Sequence, residues 1–162
     1  MGEPEALIAA LEKTGNTVYP VHNIQNLIQS GQADSIRPAA VINLAHGRLG
    51  DYIVDYLSRQ NIPLFAPLNT NRLVEEWEAD KMGMNGGFLS QSVVMPEIDG
   101  AIRPFALFGH RLDDEGCNRS TPFPNAWPRS YKPSTTTLPC RASPTARSAS
   151  PSTIIKVRGR TH

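Results

Sequence analysis

No acidic residue follows Glu115, although the chain carries 15 of them before that point. Eight of the 16 Lys and Arg residues lie from Arg119 onward, so the formal charge is −7 through Gly116 and +8 beyond it. Those later charges are scattered among Pro, Ser and Thr, and no dense basic stripe of the kind that tracks a phosphate backbone forms. Long apolar runs are also missing. None approaches the ~20 residues that a membrane span requires. The start, "MGEPEALIAALEKTG", lacks a basic region and a continuous apolar stretch, which argues against a secretory leader and for a cytoplasmic location. The two cysteines, Cys117 and Cys140, have neither metal-ligand spacing nor a secretory setting and read as incidental thiols. Neither G-x-G-x-x-G nor a Gly-Lys-Ser/Thr phosphate loop occurs, so nucleotide binding has no positive signal.

What is present up to Gly116 has the pattern of an α/β protein. Ala6, Leu7, Ala10 and Leu11 recur at helical spacing and predict a helix from Pro4 to Lys13, ended by Gly15. "NTVYPV" reads as a short strand and "NIQNLIQS" as a helix with Ile24, Leu27 and Ile28 on one face. "AAVINLA" is a continuous apolar run, as in a strand covered on both sides. In "LGDYIVDYLSRQ" the residues Leu49, Ile53 and Leu57 repeat every four, with Asp51, Asp55 and Arg59 on the wet face, which predicts a second amphipathic helix. "NIPLFAPL" predicts another buried strand, and Thr70 or Asn71 can cap a helix "RLVEEWEADKMGM" with Leu73, Val74 and Trp77 inward. "SQSVVMPEIDGAIRPFALFG" predicts two extended runs joined around Asp99-Gly100. Alternation of strand and helix predicts an incomplete flavodoxin-like or Rossmann-like layer.

Candidate sites follow from that layout. "HGRLG" lies between the end of a strand and the start of a helix, where doubly wound folds place ligands, which makes Gly47, Arg48 and Gly50 candidates for cofactor binding. The simpler reading is a tight strand-to-helix turn. His22, His46 and His110 are imidazoles that could ligate a metal, but none has a partner at i+3 or i+4, and no metal site is predicted. Glu75, Glu76, Glu78 and Asp80 surround Trp77 and read as the solvated face of a helix. "PEIDG" can present Glu97 or Asp99 to a ligand, or can form only a turn.

Taken together, "VINLAHGRLGDYIVDYLSRQNIPLFAPL", "EEWEADKMGM" and "VVMPEIDGAIRPFALFG" resemble the large subunit of the CobN and magnesium chelatase family. The resemblance covers roughly Asn16 to Gly116, and "EEW" followed by "PEIDG" is its most specific part. It implies a longer protein of cobaltochelatase type that binds a tetrapyrrole and takes cobalt or magnesium as its substrate metal. It also implies AAA+ partner subunits that supply ATP hydrolysis, in keeping with the missing phosphate loop. Removing two pyrrole N–H protons calls for a carboxylate or imidazole base, and Glu97 and His46 are the candidates for that catalytic role. Much of the substrate cavity lies outside one α/β region, so this chain alone is expected to be inactive.

The resemblance and the composition part company near Gly116, giving an expected partial α/β domain over 1–116 and a disordered tail over 117–162. A shift of reading frame explains the tail's composition. Codons permitted for "TIIKVRGRTH", read two bases on, can spell "YYKGPGQNA", which resembles the family's continuation. Other readings stay open: a magnesium chelatase, a family member that handles haem-type tetrapyrroles, or a separate ligand-binding module whose basic tail contacts nucleic acid.

Overall fold

The computed structural model describes residues 4–102, 106–123 and 153–157. The first helix, α1 (Pro4–Lys13), has its proline where the missing N–H is harmless, Glu5 in its first turn and Lys13 in its last. It buries Leu7 and is followed by strand β1 (Thr17–Val21). Helix α2 (Ile24–Gln29) starts where Asn23 Oδ1 accepts the Asn26 N–H at 3.0 Å. A short α3 (Gln32–Ile36) leads into β2 (Ala40–Asn43), the apolar run of the sequence, and Val41 there is fully buried.

Helix α4 (Asp51–Arg59) follows the "HGRLG" loop and turns Ile53 and Leu57 inward, as its four-residue period predicts. Burying each of these side chains contributes roughly 1.5–3 kcal/mol. Strand β3 (Leu64–Phe65) pairs parallel to β2. Ile24, Ile28, Ala33, Val41, Ile53 and Leu57 join one core around this βαβ unit.

The next segment departs from the expected pattern. "LNTNRL" forms strand β4 (Leu68–Leu73), and the helix with "EEW" is confined to α5 (Val74–Ala79). Leu73 takes the N-cap position without a side-chain cap, so neither Thr70 nor Asn71 starts that helix. Thr70 is instead buried in β4.

"SQSVVMPEI" is helical, not extended. Helix α6 (Gly86–Leu89) passes through a π-helical turn (Ser90–Val94) into α7 (Met95–Ile98). Asp99-Gly100 ends that helix, with Gly100 at φ +71°, and is no hairpin. Local β-branched content in "SVV" favours a strand, but Asn85 caps α6 through the Phe88 N–H, and packing on the "HGRLG" loop overrides the propensity.

Strand β5 (Ala106–Leu112) runs parallel to β4 and antiparallel to β6 (Asn118–Pro122). A last strand, β7 (Thr153–Val157), lies antiparallel between β1 and β2. The α/β layer is thus two mixed sheets, ordered β1-β7-β2-β3 and β4-β5-β6. Leu7, Val18, Leu44, Leu107 and Phe108 form a second core that spans them. Within the region from 117 on, expected to be disordered, the described residues include β6 and β7, and 124–152 and 158–162 lie outside the described residues. Cys117 is disulfide-bonded, which corrects its reading as an incidental thiol.

Candidate functional site

The "HGRLG" loop is fastened along its length to the helix that ends in "PEIDG". Asp99, whose side chain is 1% exposed, receives Arg48 Nε on Oδ1 at 2.7 Å and the Leu49 backbone N–H on Oδ2 at 2.6 Å. Arg48 also reaches Asp51 on the first turn of α4, through Nη2 to Oδ1 at 2.5 Å. These two carboxylates raise the Arg48 pKa above its ordinary value, chiefly through the hydrogen bond to Asp99. Further back in the loop, Gly47 N–H donates to the Gln91 carbonyl at 2.9 Å. Gly47 and Gly50 both need their missing Cβ, since their φ values are +91° and +95°.

His46 stands on the same side. Its Nδ1 lies 3.2 Å from Ser92 Oγ, and Ser92 is buried inside the π-helical turn. The imidazole meets Phe88 edge-on at 5.7 Å, Phe88 meets Trp77 at 6.4 Å, and Trp77 meets Phe123 at 5.8 Å. A row of rings therefore runs from the loop to the second sheet. His46 is exposed at its outer side, yet burial is the main cause that lowers its pKa, so the neutral imidazole is favoured.

The base of the loop is tied down as well. Asn43 Oδ1 accepts the Ala45 N–H at 3.1 Å, and Asn69 Nδ2 donates to the Leu44 carbonyl at 3.2 Å. Behind the clamp, a cleft of about 360 Å³ is lined by Leu57, Ser58, Ile98, Asp99 and Ile102. Ile98 and Ile102 are 61% and 46% exposed there.

The structure thus gathers His46, Gly47, Arg48, Gly50 and Asp99 and leaves the other candidates elsewhere. Glu97 is exposed on α7, two positions from the clamp. The loop's polar groups are engaged by protein: Gly47 N–H, Leu49 N–H and the Arg48 guanidinium all have partners, so the loop does not form an open anion cradle. His22 is exposed beyond β1, and His110 sits in β5 with both ring nitrogens buried and without a hydrogen-bond partner among the described residues. Burial lowers the His110 pKa. The acidic run around Trp77 is solvated, with Glu75 paired to Arg111 at 3.1 Å and Asp80 to Arg72 at 2.6 Å. Among the described residues, Asp113, Glu115 and Cys117 come together at the β5–β6 turn. The disulfide removes the thiolate there, and Asp113 already holds Arg119 and the N–H groups of Glu115 and Cys117, so the group works as a turn. Sequence reasoning had no sign of Ser92 or Phe88, whose roles depend on a loop some forty residues away.

The family description "CobN/Magnesium Chelatase" matches residues 2–132. The chain belongs to the CobN/magnesium chelatase family. This CobN/magnesium chelatase match begins ahead of Asn16 and runs past Gly116, so its end does not coincide with the change of composition. No curated protein and no solved structure matches the chain. Membership ties the molecule to tetrapyrrole-related metal chelation, with cobalt or magnesium as the metal. No helix among the described residues is long and apolar enough to cross a membrane.

Proposed function

We propose that this chain is part of the tetrapyrrole-binding large subunit of an ATP-dependent metal chelatase, and that the parent enzyme inserts cobalt in cobalamin biosynthesis. The observation that carries this reading is the family match over most of the chain. The reaction exchanges two pyrrole protons for a divalent metal, and its barrier lies in stripping water from the ion and distorting a flat ring. A rigid wall with a proton acceptor beside it suits that task. The clamped "HGRLG" loop and the Phe88–Trp77 rings form the wall, and Glu97, exposed beside the clamp, is the proton acceptor. Hydrolysis of ATP belongs to AAA+ partner subunits, and the complex works in the cytoplasm.

The same family description includes magnesium chelatase, so magnesium is the second metal to test. The chain is a portion of its parent, and residues after Gly116 derive from a shifted reading frame, even though the family match runs on to residue 132. Support for that comes from the charge reversal at Gly116. Reading the DNA across codon 117 checks it: a shifted frame that closes at once ends this part of the proposal.

Quenching of macrocycle fluorescence by the purified chain tests binding. Saturable quenching by a metal-free tetrapyrrole is expected, without metal insertion when ATPase subunits and ATP are added. Absence of quenching overturns the binding role, and turnover by the chain overturns its partial status.

A further inference from the structure

We propose that a cleft between α3 and α4 binds a zwitterionic α-amino acid with an aliphatic side chain, its carboxylate on Arg37 and its ammonium on Asp34. This site is independent of the tetrapyrrole reading above. It lies where the chain enters β2 and β3, whereas "HGRLG" follows the other end of β2.

Three observations lead there. First, the space exists and its lining is mixed. A cleft of about 460 Å³ brings Asp34 and Arg37, at the end of α3, together with Tyr56 and Gln60, at the end of α4. That volume is within the range of small-molecule sites. Its apolar part comes from Ala33 and Pro38, both buried, and from half-buried Ile62, a surface suited to an aliphatic side chain.

Second, two opposite charges share the cleft without pairing. Among the described residues, Arg48, Arg72, Arg111 and Arg119 pair with carboxylates and Arg59 donates to the Asp55 carbonyl, whereas the Arg37 side chain has no bond of either kind. Asp34 stands three positions earlier, a spacing at which helical side chains are neighbours, yet the two form no ion pair. The Tyr56 hydroxyl holds Asp34 instead, donating to Oδ1 at 2.8 Å, and that bond uses only one carboxylate oxygen. One fixed anion and one fixed cation with no net charge match a dipolar ligand. A phosphate dianion would meet repulsion from Asp34, and a simple cation would meet it from Arg37.

Third, Arg37 occupies a backbone position that favours glycine. It closes α3 at φ +50° and ψ +66°, with its N–H on the Ala33 carbonyl at 3.0 Å. Glycine takes this left-handed conformation without penalty and arginine does not. Since the guanidinium has no protein partner, no ion pair or hydrogen bond of the side chain offsets that strain. A bidentate carboxylate is the ligand group that its planar fork fits best. Binding makes and breaks no covalent bond.

The probe is L-leucine titrated into the full chain by isothermal calorimetry, beside L-leucine amide, which lacks the carboxylate, and N-acetyl-L-leucine, which lacks the ammonium. Saturable binding of L-leucine is expected, with both blocked probes weaker by about tenfold or more, because each loses a charge-assisted contact. Arg37→Gln and Arg37→Gly are expected to weaken L-leucine to a similar degree and to abolish its advantage over the amide. Asp34→Asn is expected to abolish its advantage over the acetylated probe. Arg37→Gly also relieves the left-handed strain, so it is expected to unfold in urea no earlier than the unaltered chain, which separates lost binding from lost folding. Three results overturn the proposal: no saturable heat from L-leucine up to about 10 mM, equal binding of the three probes, or unchanged L-leucine affinity in Arg37→Gly.

Discussion

Asp99 accepts the backbone N–H of Leu49 at 2.6 Å although the two residues are 50 positions apart, and it does so with a carboxylate that is almost wholly buried. A loop is thereby positioned by a side chain from the end of a distant helix. Removing one partner of a fully buried pair costs roughly 3–5 kcal/mol. Arg48, however, is 38% exposed, so water can replace part of what it loses.

Asp99→Ala is therefore expected to lower stability by about 1.5–3 kcal/mol, the range for hydrogen bonds to a charged group, and Asp99→Asn by less. Urea unfolding measures both. A loss under ~0.5 kcal/mol, typical of an ordinary surface change, would mean that the clamp does not hold the loop.

Gly109 sits where strand β5 meets α5. A Cβ there would lie 2.9 Å from Val74 Cγ2 and 3.2 Å from Phe123 Cζ. Val74 is fully buried and branched at Cβ, so it cannot swing aside. Gly109→Ala is expected to cost about 1–3 kcal/mol by overpacking. The double variant Gly109→Ala with Val74→Ala should be less destabilised than the sum of the two changes, and strict additivity would refute the clash.

The Tyr56 hydroxyl donates to Asp34 Oδ1 at 2.8 Å, and its pKa is pushed up from 10.0 to about 12, first by burial and then by this hydrogen bond. The folded value is the higher one, so the protonated phenol favours the fold. That contribution is complete below the ordinary value of 10.0 and is lost as pH rises through about 12. Phenolate absorbance should show a late step that Tyr56→Phe removes and Asp34→Asn shifts to lower pH. A Tyr56 midpoint unchanged by Asp34→Asn would dismiss the carboxylate as a cause.

A chain ending at Gly116 would lose both β6 and β7. Strand β7 lies between β1 and β2, so its removal leaves two facing strand edges without ladder partners. Such edges template association between molecules. Light scattering is expected to show the shortened chain aggregating at concentrations where the full chain stays monodisperse; equal behaviour of the two would show that the first sheet closes without β7.

The parts legible in sequence were those whose periodicity and burial agree. "AAVINLA" and "LGDYIVDYLSRQ" announce β2 and α4 because apolar run and four-residue repeat coincide with real burial of Val41, Ile53 and Leu57. Where local preference and long-range contact disagree, the reading fails. "SVV" prefers a strand but is held in a π-helical turn by Gly47 and His46 across the loop, and Asp99 looks like a turn residue until Leu49 is set beside it. The loop's position after a strand was visible, whereas its fastening depends on contacts that no local pattern encodes. Cys117 is similar, since a disulfide is a statement about folded distance and not about spacing.

The π-helical turn between α6 and α7 acts as a phase joint. An i→i+5 turn takes up one residue more than the i→i+4 turn it replaces, so the extra residue is absorbed here while the two helical ends keep roughly the phase of a continuous α-helix. Phe88 lies on one side of the joint and Asp99 on the other, yet both must face the same loop. Inserting a residue into α7, where no further π turn is present to absorb it, would rotate the two ends about 100° relative to each other and disconnect His46 from its ring partner or Leu49 from its carboxylate. The spacing between these residues, and not only their identity, is part of what the sequence must preserve.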